Sequence, residues 1–303
     1  MRWVISVSAF AILSACGSPA PQAPEPRAAD AGPAMTDTEF REKDWAKDKD
    51  GVTLPKGATA QTKAAQARAK TVMPEDIARE KDFATRGFIA TNPAAQIKGD
   101  KGRISMDLAA NDFMTGDAPA TVNPLLWQHG EFMGLNEGLF KVTDGVYQVR
   151  GFDVANVTFV ETDTGYIVID PLNSGYTARA AFDLIKEHVA DKPVVAVMYT
   201  HTHSDHFAGI SGVVTQEELA SGKVQIIAPE GFMEETAKEW LTAGNAMGRR
   251  AFYQFALFVP SGPRGYVGAG QGPGISLGDH SLVPPTHEIT HTGETLTIDG
   301  TEI

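Results

Sequence analysis

The chain has 303 residues, of which 42% are hydrophobic, and its formal net charge at pH 7 is -12. That length allows one large domain, or a medium domain with an extension. The acidic balance argues against a nucleic-acid partner, because such proteins usually present a basic stripe to the phosphate backbone.

The first residues are typical of an export signal. Met1 and Arg2 give a positive start, and residues 3–13 form an apolar stretch that is too short to span a bilayer. The following LSAC resembles the lipobox of bacterial lipoproteins, with Cys16 as the lipidated residue; the alternative is an ordinary signal peptide with a stray cysteine. We expect a signal peptide over 1–15 and a lipid anchor at Cys16. The location would be the bacterial cell envelope, in the periplasm or at the outer membrane.

Two segments follow before the regular strand and helix patterns of a folded domain begin. Residues 16–57 start with a proline- and alanine-rich run that has almost no large apolar residues, which predicts a flexible linker. Residues 58–137 are predicted to be a helical and extended segment. Within it, helices are expected over 58–70 and 74–88, where good helix formers dominate.

Residues 138–303 alternate strand and helix patterns, which indicates an α/β fold. A hairpin is predicted around Asp144-Gly145, and a second hairpin around the TDTG turn at 162–165. An amphipathic helix is expected over 176–190, followed by buried strands over 192–200 and 223–229. The stretch 229–258 is expected to be largely helical, and the last ten residues to form a hairpin.

Four potential metal ligands crowd directly after the strand predicted over 192–200: His201, His203, Asp205 and His206. At the end of a strand, the period of two would point His201 and His203 the same way, so that they could bind one metal together. Asp205 and His206 follow a turn and could bind a second metal, which in two-metal hydrolases lies ~3.5–4 Å from the first. Hydroxide held between two such ions is a strong nucleophile at neutral pH. The alternative is a set of loop histidines that cap a helix.

The motif THTHSDH, together with IVIDP upstream, resembles the metallo-β-lactamase superfamily. This resemblance implies an αββα sandwich in which His201 and His203 bind one metal, and Asp205 and His206 bind the other. It also implies that Asp170, at the end of the IVID strand, supports the ligands; the alternative is that Asp170 only caps the next turn.

Sequence segments outside the motif resemble those of the alkyl sulfatases that hydrolyse dodecyl sulfate. These segments include DFMTGDAPATVNPLLW, IIAPEGFMEE, AGNAMGRRA and PRGYVGAG. The resemblance implies zinc-dependent hydrolysis of an alkyl sulfate to an alcohol and inorganic sulfate by a homodimer with two zinc ions in each site. Arg249 and Arg250 are the local candidates for contact with the sulfate, although arginines on a helix are more often solvated.

The family pattern continues beyond the hairpin at the end of the sequence. In the family, further metal ligands, a helical dimerisation domain and a C-terminal domain come after it. We therefore expect an αββα sandwich that is incomplete at the C-terminus, and a chain that is part of a longer enzyme. Two alternatives remain: another hydrolase of the same fold, such as a β-lactamase or a lactonase, and an inactive, truncated envelope lipoprotein.

Overall fold

The computed structural model describes residues 57–72, 76–256, 259 and 261–303. The chain divides into two units, Met1–Lys56 and Gly57–Ile303. The predicted signal peptide, Cys16 and all of the predicted linker except Gly57 lie outside the described residues. Within the described ranges, no helix has both the length and the apolar character needed to cross a bilayer.

The predicted N-terminal helical extension is present. Its helices are α1 (Ala60–Lys70), α2 (Ile77–Thr85) and α3 (Pro124–Leu135), and its strands are β1 (Phe88–Ala90), β2 (Gln96–Lys98) and β3 (Ile104–Asp107). The start of α3 follows from the sequence. The side chain of Asn123 accepts a hydrogen bond from the backbone N of Leu125, and Pro124 lacks a backbone N–H, which would have no helical partner in the first turn. The strand β1 pairs antiparallel with the main sheet, so this segment also supplies an edge strand.

One sheet of eight strands organises the rest of the described chain. After β1, its members are β4 (Gly138–Thr143), β5 (Val146–Arg150), β6 (Val157–Glu161), β7 (Tyr166–Ile169), β8 (Val194–Met198), β9 (Gln225–Pro229) and β10 (His287–Ile289). They lie in the order β1-β4-β5-β6-β7-β8-β9-β10. Neighbours are antiparallel from β1 to β7 and parallel from β7 to β10. The two predicted hairpins are therefore confirmed, as β4–β5 and β6–β7.

The helix α4 (Gly175–His188) covers one face of the sheet. Alternation along β7 buries Tyr166 and Val168 against the α4 side, where Phe182 stacks on Phe159 at a centroid distance of 6.0 Å. Ile167 points to the opposite face and packs in a separate cluster. Each such side chain contributes about 1.5–3 kcal/mol on full burial, so the alternation fixes the register of the sheet.

The opposite face carries the hairpin of β11 (Thr297–Ile298) and β12 (Thr301–Glu302). Ile298 packs there with Ile167, Ala196 and Ile227. The described residues thus contain one helix layer, one full sheet and a two-stranded element on the other side. This is the part of the αββα arrangement that the sequence predicts.

The remaining α-helices and a π-helical turn follow β8 and β9. They are α5 (Gln216–Ala220), α6 (Phe232–Lys238), a π-helical turn (Glu239–Ala243) and α7 (Gly244–Gln254). The carboxyl ends of parallel strands meet at one edge of a sheet, and ligands of open α/β sheets bind outside that edge. The loops after β7, β8 and β9 share this edge, and the four candidate metal ligands lie on the loop after β8.

Candidate metal centre

The candidate ligands lie on the loop that runs from β8 toward α5, which we call the histidine loop (residues 199–215). The strand ends at Met198, and both His201 and His203 lie in bends after it. The prediction that a strand period orients these two residues is therefore wrong. Tyr199 is buried and its amide donates to the carbonyl of Ile227 at 2.9 Å, so the chain leaves the sheet only after this point.

The loop nevertheless brings the three imidazoles together. The ring centroids of His201 and His203 are 4.7 Å apart, and those of His201 and His206 are 4.0 Å apart. Nε2 of His206 lies 3.2 Å from Oδ2 of Asp205. All four side chains are partly buried. The two pairs expected from the sequence thus form one continuous cluster, with the ring of His201 in the middle.

Asp170 reaches the histidine loop from the end of β7. Its Oδ1 accepts from the backbone N of Thr200 at 2.9 Å, and its Oδ2 accepts from Oγ1 of Thr200 at 2.7 Å. Nδ1 of His206 donates to the same Oδ2 at 2.7 Å. Asp170 has φ 55°, a left-handed conformation that aspartate tolerates better than most residues. This sharp turn aims the carboxylate at the loop instead of along the strand.

Thr200 extends this contact to a second ring. Its hydroxyl donates to Asp170 and therefore accepts from Nδ1 of His201, which lies 2.9 Å away. Nε2 of His201 is left for a ligand. A histidine that binds a metal usually donates its other ring N–H to an orienting acceptor, and this is the arrangement of His201. No pattern in the sequence singles out Thr200 for this contact.

Glu239 is the third acidic residue at the cluster. It lies at the start of the π-helical turn, and its Oε2 accepts from Oγ1 of Thr202 at 3.2 Å. Its Oε1 lies 3.7 Å from Nε2 of His203. The sequence predicts only a helix here, because no local pattern connects Glu239 with Thr202 and His203, which precede it by more than 30 residues.

The pKa values of the cluster reflect burial and close charges. Burial lowers the pKa of His201, and the charges of His206 and His203 lower it further. Burial also lowers the pKa of His206, but hydrogen bonds to Asp170 and Asp205 outweigh it and raise the pKa to about 9. For Asp205, burial opposes ionisation, but the hydrogen bond and the charge of His206 outweigh it together with a backbone hydrogen bond and the charge of His203, so the pKa lies below the ordinary value. The cluster therefore holds closely coupled opposite charges.

Two glycines seat the histidine loop on the start of α4. A Cβ at Gly209 would overlap the carbonyl oxygen of Pro171, and a Cβ at Gly212 would overlap that of Gly175. The amide of Gly209 donates to the carbonyl of Leu172 at 2.9 Å. Only glycine permits this close approach of two backbones, so the loop has rigid support beneath it.

A buried carboxylate fixes the turn that follows Asp170. Asp153 is 1% exposed, and it accepts from the backbone N of Asn173 at 3.0 Å and from the backbone N of Ser276 at 3.0 Å. Burial raises the pKa of Asp153, and the hydrogen bonds from Ser276 offset part of that effect. Asp153 thus connects the loop after β5, the turn after β7 and residues near 276.

The present contacts of the cluster determine whether it can hold a metal ion. Within the described ranges, no group of three or more His, Cys, Asp or Glu side chains is arranged to hold a metal ion. One reason is local: both ring nitrogens of His206 are occupied by carboxylates, Asp170 on one side and Asp205 on the other. The chemistry fits, since three imidazoles and a carboxylate are the ligands that zinc takes. A small rotation that separates Asp205 from His206 would free both for a metal.

The two candidate sulfate contacts lie elsewhere on the fold. Arg249 and Arg250 are exposed on α7. Among the described residues, neither guanidinium is hydrogen bonded or ion paired with the histidine loop. The structure therefore does not join them to the cluster.

A model of the metallo-beta-lactamase superfamily matches residues 150–300, which include Asp170 and the whole histidine loop. The chain belongs to the metallo-beta-lactamase superfamily. Membership implies a metal-binding site, and the matched region contains the cluster described above.

The chain is also 46% identical over 247 residues to a linear primary-alkylsulfatase from Pseudomonas sp., covering 81% of this chain. It is 42% identical over 225 residues to an alkyl/aryl-sulfatase from Saccharomyces cerevisiae, covering 74% of this chain.

Among solved structures, the stereoselective inverting sec-alkylsulfatase Pisa1 from Pseudomonas sp. superimposes with a TM-score of 0.78 at 40% identity, covering 82% of this chain and 39% of that one. The predicted fold class and the resemblance to alkyl sulfatases are therefore confirmed. The chain spans about a third of the curated relatives it matches, namely 36% of the Pseudomonas enzyme and 35% of the yeast enzyme.

Proposed function

We propose that the chain is the metal-binding part of an enzyme that hydrolyses alkyl sulfate esters with zinc. The observation that carries the proposal is the 46% identity to a linear primary-alkylsulfatase over 247 residues, a stretch far longer than the metal motif. Water adds to the ester, and the products are an alcohol and inorganic sulfate. The substrate would be a small molecule with an alkyl chain.

The histidine loop and Asp170 would have different roles in this reaction. His201, His203, Asp205 and His206 would hold the metal, and Asp170 would keep the rings of His201 and His206 oriented. When bound, zinc would supply Lewis acidity toward the ester and would lower the pKa of water to ~7. The buried base of the loop would limit movement of the ligands, which supports a fixed geometry for the reaction.

The test is release of inorganic sulfate from dodecyl sulfate by the intact, zinc-loaded protein. We expect turnover that a chelator abolishes and zinc restores. No sulfate release by protein with bound zinc would end the proposal. Turnover of nitrocefin or of an acyl-homoserine lactone, without turnover of alkyl sulfates, would instead favour the β-lactamase or lactonase alternative.

The other alternative is an inactive envelope lipoprotein. An unfolded circular dichroism spectrum for residues 58–303 would support it, and turnover by this segment alone would remove it.

For the active enzyme, we also propose Arg249 and Arg250 as sulfate contacts and a homodimeric assembly. Lipid attachment at Cys16 would hold the protein to a membrane of the bacterial envelope; the LSAC motif supports this.

A further inference from the structure

Two of the three rings in the cluster have an obvious orienting partner. Asp170 accepts directly from Nδ1 of His206, and it acts on His201 through the hydroxyl of Thr200. His203 has no contact of this kind with Asp170. Its ring nevertheless lies in the cluster, with its centroid 4.7 Å from that of His201. A single free ring would sample several orientations, which would weaken a metal site built on all three.

We propose that Glu239 is the positioning residue for His203. The carboxylate spans two consecutive side chains of the loop: Oε2 accepts from Oγ1 of Thr202 at 3.2 Å, and Oε1 lies 3.7 Å from Nε2 of His203. The second distance is longer than a hydrogen bond, and a small rotation of the carboxylate would bring the two atoms into hydrogen-bond range. The role assigned to Glu239 rests on the proposed metal-binding role of the loop and adds one residue to it.

The contact assigns the nitrogens of His203. With Nε2–H directed at Glu239, the lone pair is on Nδ1, and Nδ1 becomes the metal-binding atom. In His201 the roles are reversed, since Nδ1 donates to Thr200 and Nε2 remains for the metal. The two histidines of the HxH pair would therefore bind through different nitrogens, each set by its own acceptor.

The backbone at Glu239 suits this role. Glu239–Ala243 is a π-helical turn between α6 and α7, and such turns occur frequently at functional sites because they displace side chains from the regular helical spacing. The side chain of Glu239 is 23% exposed and that of His203 is 32% exposed, so water screens the contact only in part. By contrast, Glu235 on α6 is 62% exposed and pairs with Lys238 on its own helix.

The experiment measures metal binding, not turnover. Cobalt(II) is titrated into the full chain carrying Glu239→Ala, Glu239→Gln or the control Glu235→Gln, with a competing chelator and the visible absorption of bound cobalt as readouts. We expect Glu239→Ala to weaken affinity by about 10–100-fold, as loss of an orienting partner usually does. Glu239→Gln keeps a carbonyl acceptor and should lie between Glu239→Ala and the wild type, and Glu235→Gln should match the wild type.

A second readout separates orientation from folding. In a chain labelled with ¹⁵N-histidine, the signals of His203 are assigned by their loss in His203→Ala. We expect the Nε2–H tautomer in the wild type, and loss of that fixed tautomer in Glu239→Ala at unchanged circular dichroism. Unchanged affinity and an unchanged tautomer in Glu239→Ala would overturn the role of Glu239. Failure of the wild-type chain to bind cobalt would overturn the metal centre itself.

Discussion

Replacing Asp170 by asparagine removes one charge and leaves the shape of the side chain intact. Asparagine also tolerates the left-handed backbone, here φ 55°, so the substitution adds little strain. Asp170 accepts three hydrogen bonds, from the N and Oγ1 of Thr200 and from Nδ1 of His206. An amide has one oxygen, and the hydroxyl of Thr200 can turn to accept from its NH₂ group. In either orientation of the amide, one donor loses its acceptor.

The lost bond sets the expected magnitude. A hydrogen bond to a charged group contributes about 1.5–3 kcal/mol, so we expect Asp170→Asn to lower the free energy of unfolding by that amount. Since the rings of His201 and His206 lose their orienting charge, zinc affinity should also fall by about 10–100-fold. Urea unfolding of the full chain measures the first effect, and competition with a zinc-binding dye measures the second.

Asp191→Asn is the matched control, because Asp191 pairs with Lys186 at 3.1 Å while remaining 76% exposed. Exposed pairs contribute little, so this variant should unfold within about 0.5 kcal/mol of the wild type. If Asp170→Asn behaved like this control in both assays, the assignment of Asp170 as the residue that holds the histidine loop would be refuted.

His203→Ala should abolish sulfate release by the intact protein and reduce its zinc content, and a wild-type rate would contradict the ligand assignment. A hydrogen bond from Thr162 to Asp299 lowers the pKa of Asp299, so the stability it provides is present above the ordinary carboxyl pKa and is lost as pH falls through the lowered value. Urea midpoints at pH 7 and pH 3 should therefore differ more in the wild type than in Asp299→Asn, and equal differences would argue against this linkage. The Cys16→Ser variant should no longer sediment with the membrane fraction, and its continued presence there would contradict lipidation at Cys16.

The strand and helix periods predicted most of the sheet. Phe182, Leu184 and Ile185 fall on the buried side of α4, and the two hairpins turn where glycine and polar residues predict. By contrast, β1 has three residues, too few to show a period, and only its pairing with β4 reveals that it belongs to the sheet. Local patterns therefore suffice where an element is long enough to bury a face.

The same limit applies to the candidate site. The crowding of His201, His203 and His206 was visible because these residues are neighbours in sequence. The contact from Glu239 depends on how α6 and the π-helical turn fold back over the loop, which no local pattern encodes. The position at which β8 ends could not be predicted either. Because the strand ends at Met198, the orientations of the His201 and His203 rings are set by the loop and not by the strand period.

The order of the sheet has a consequence for synthesis. From β5 to β9, every strand pairs with the one that precedes it in the chain, and β4 pairs with β1, which is already made when β4 appears. The antiparallel pairings from β4 to β7 close short loops, which keeps the entropic cost of forming this part of the sheet low. A nascent chain that has reached Pro229 therefore contains every residue of seven adjoining strands, the helix that covers them and the whole histidine loop. A purified segment that ends at Pro229 should therefore already resist protease over these strands.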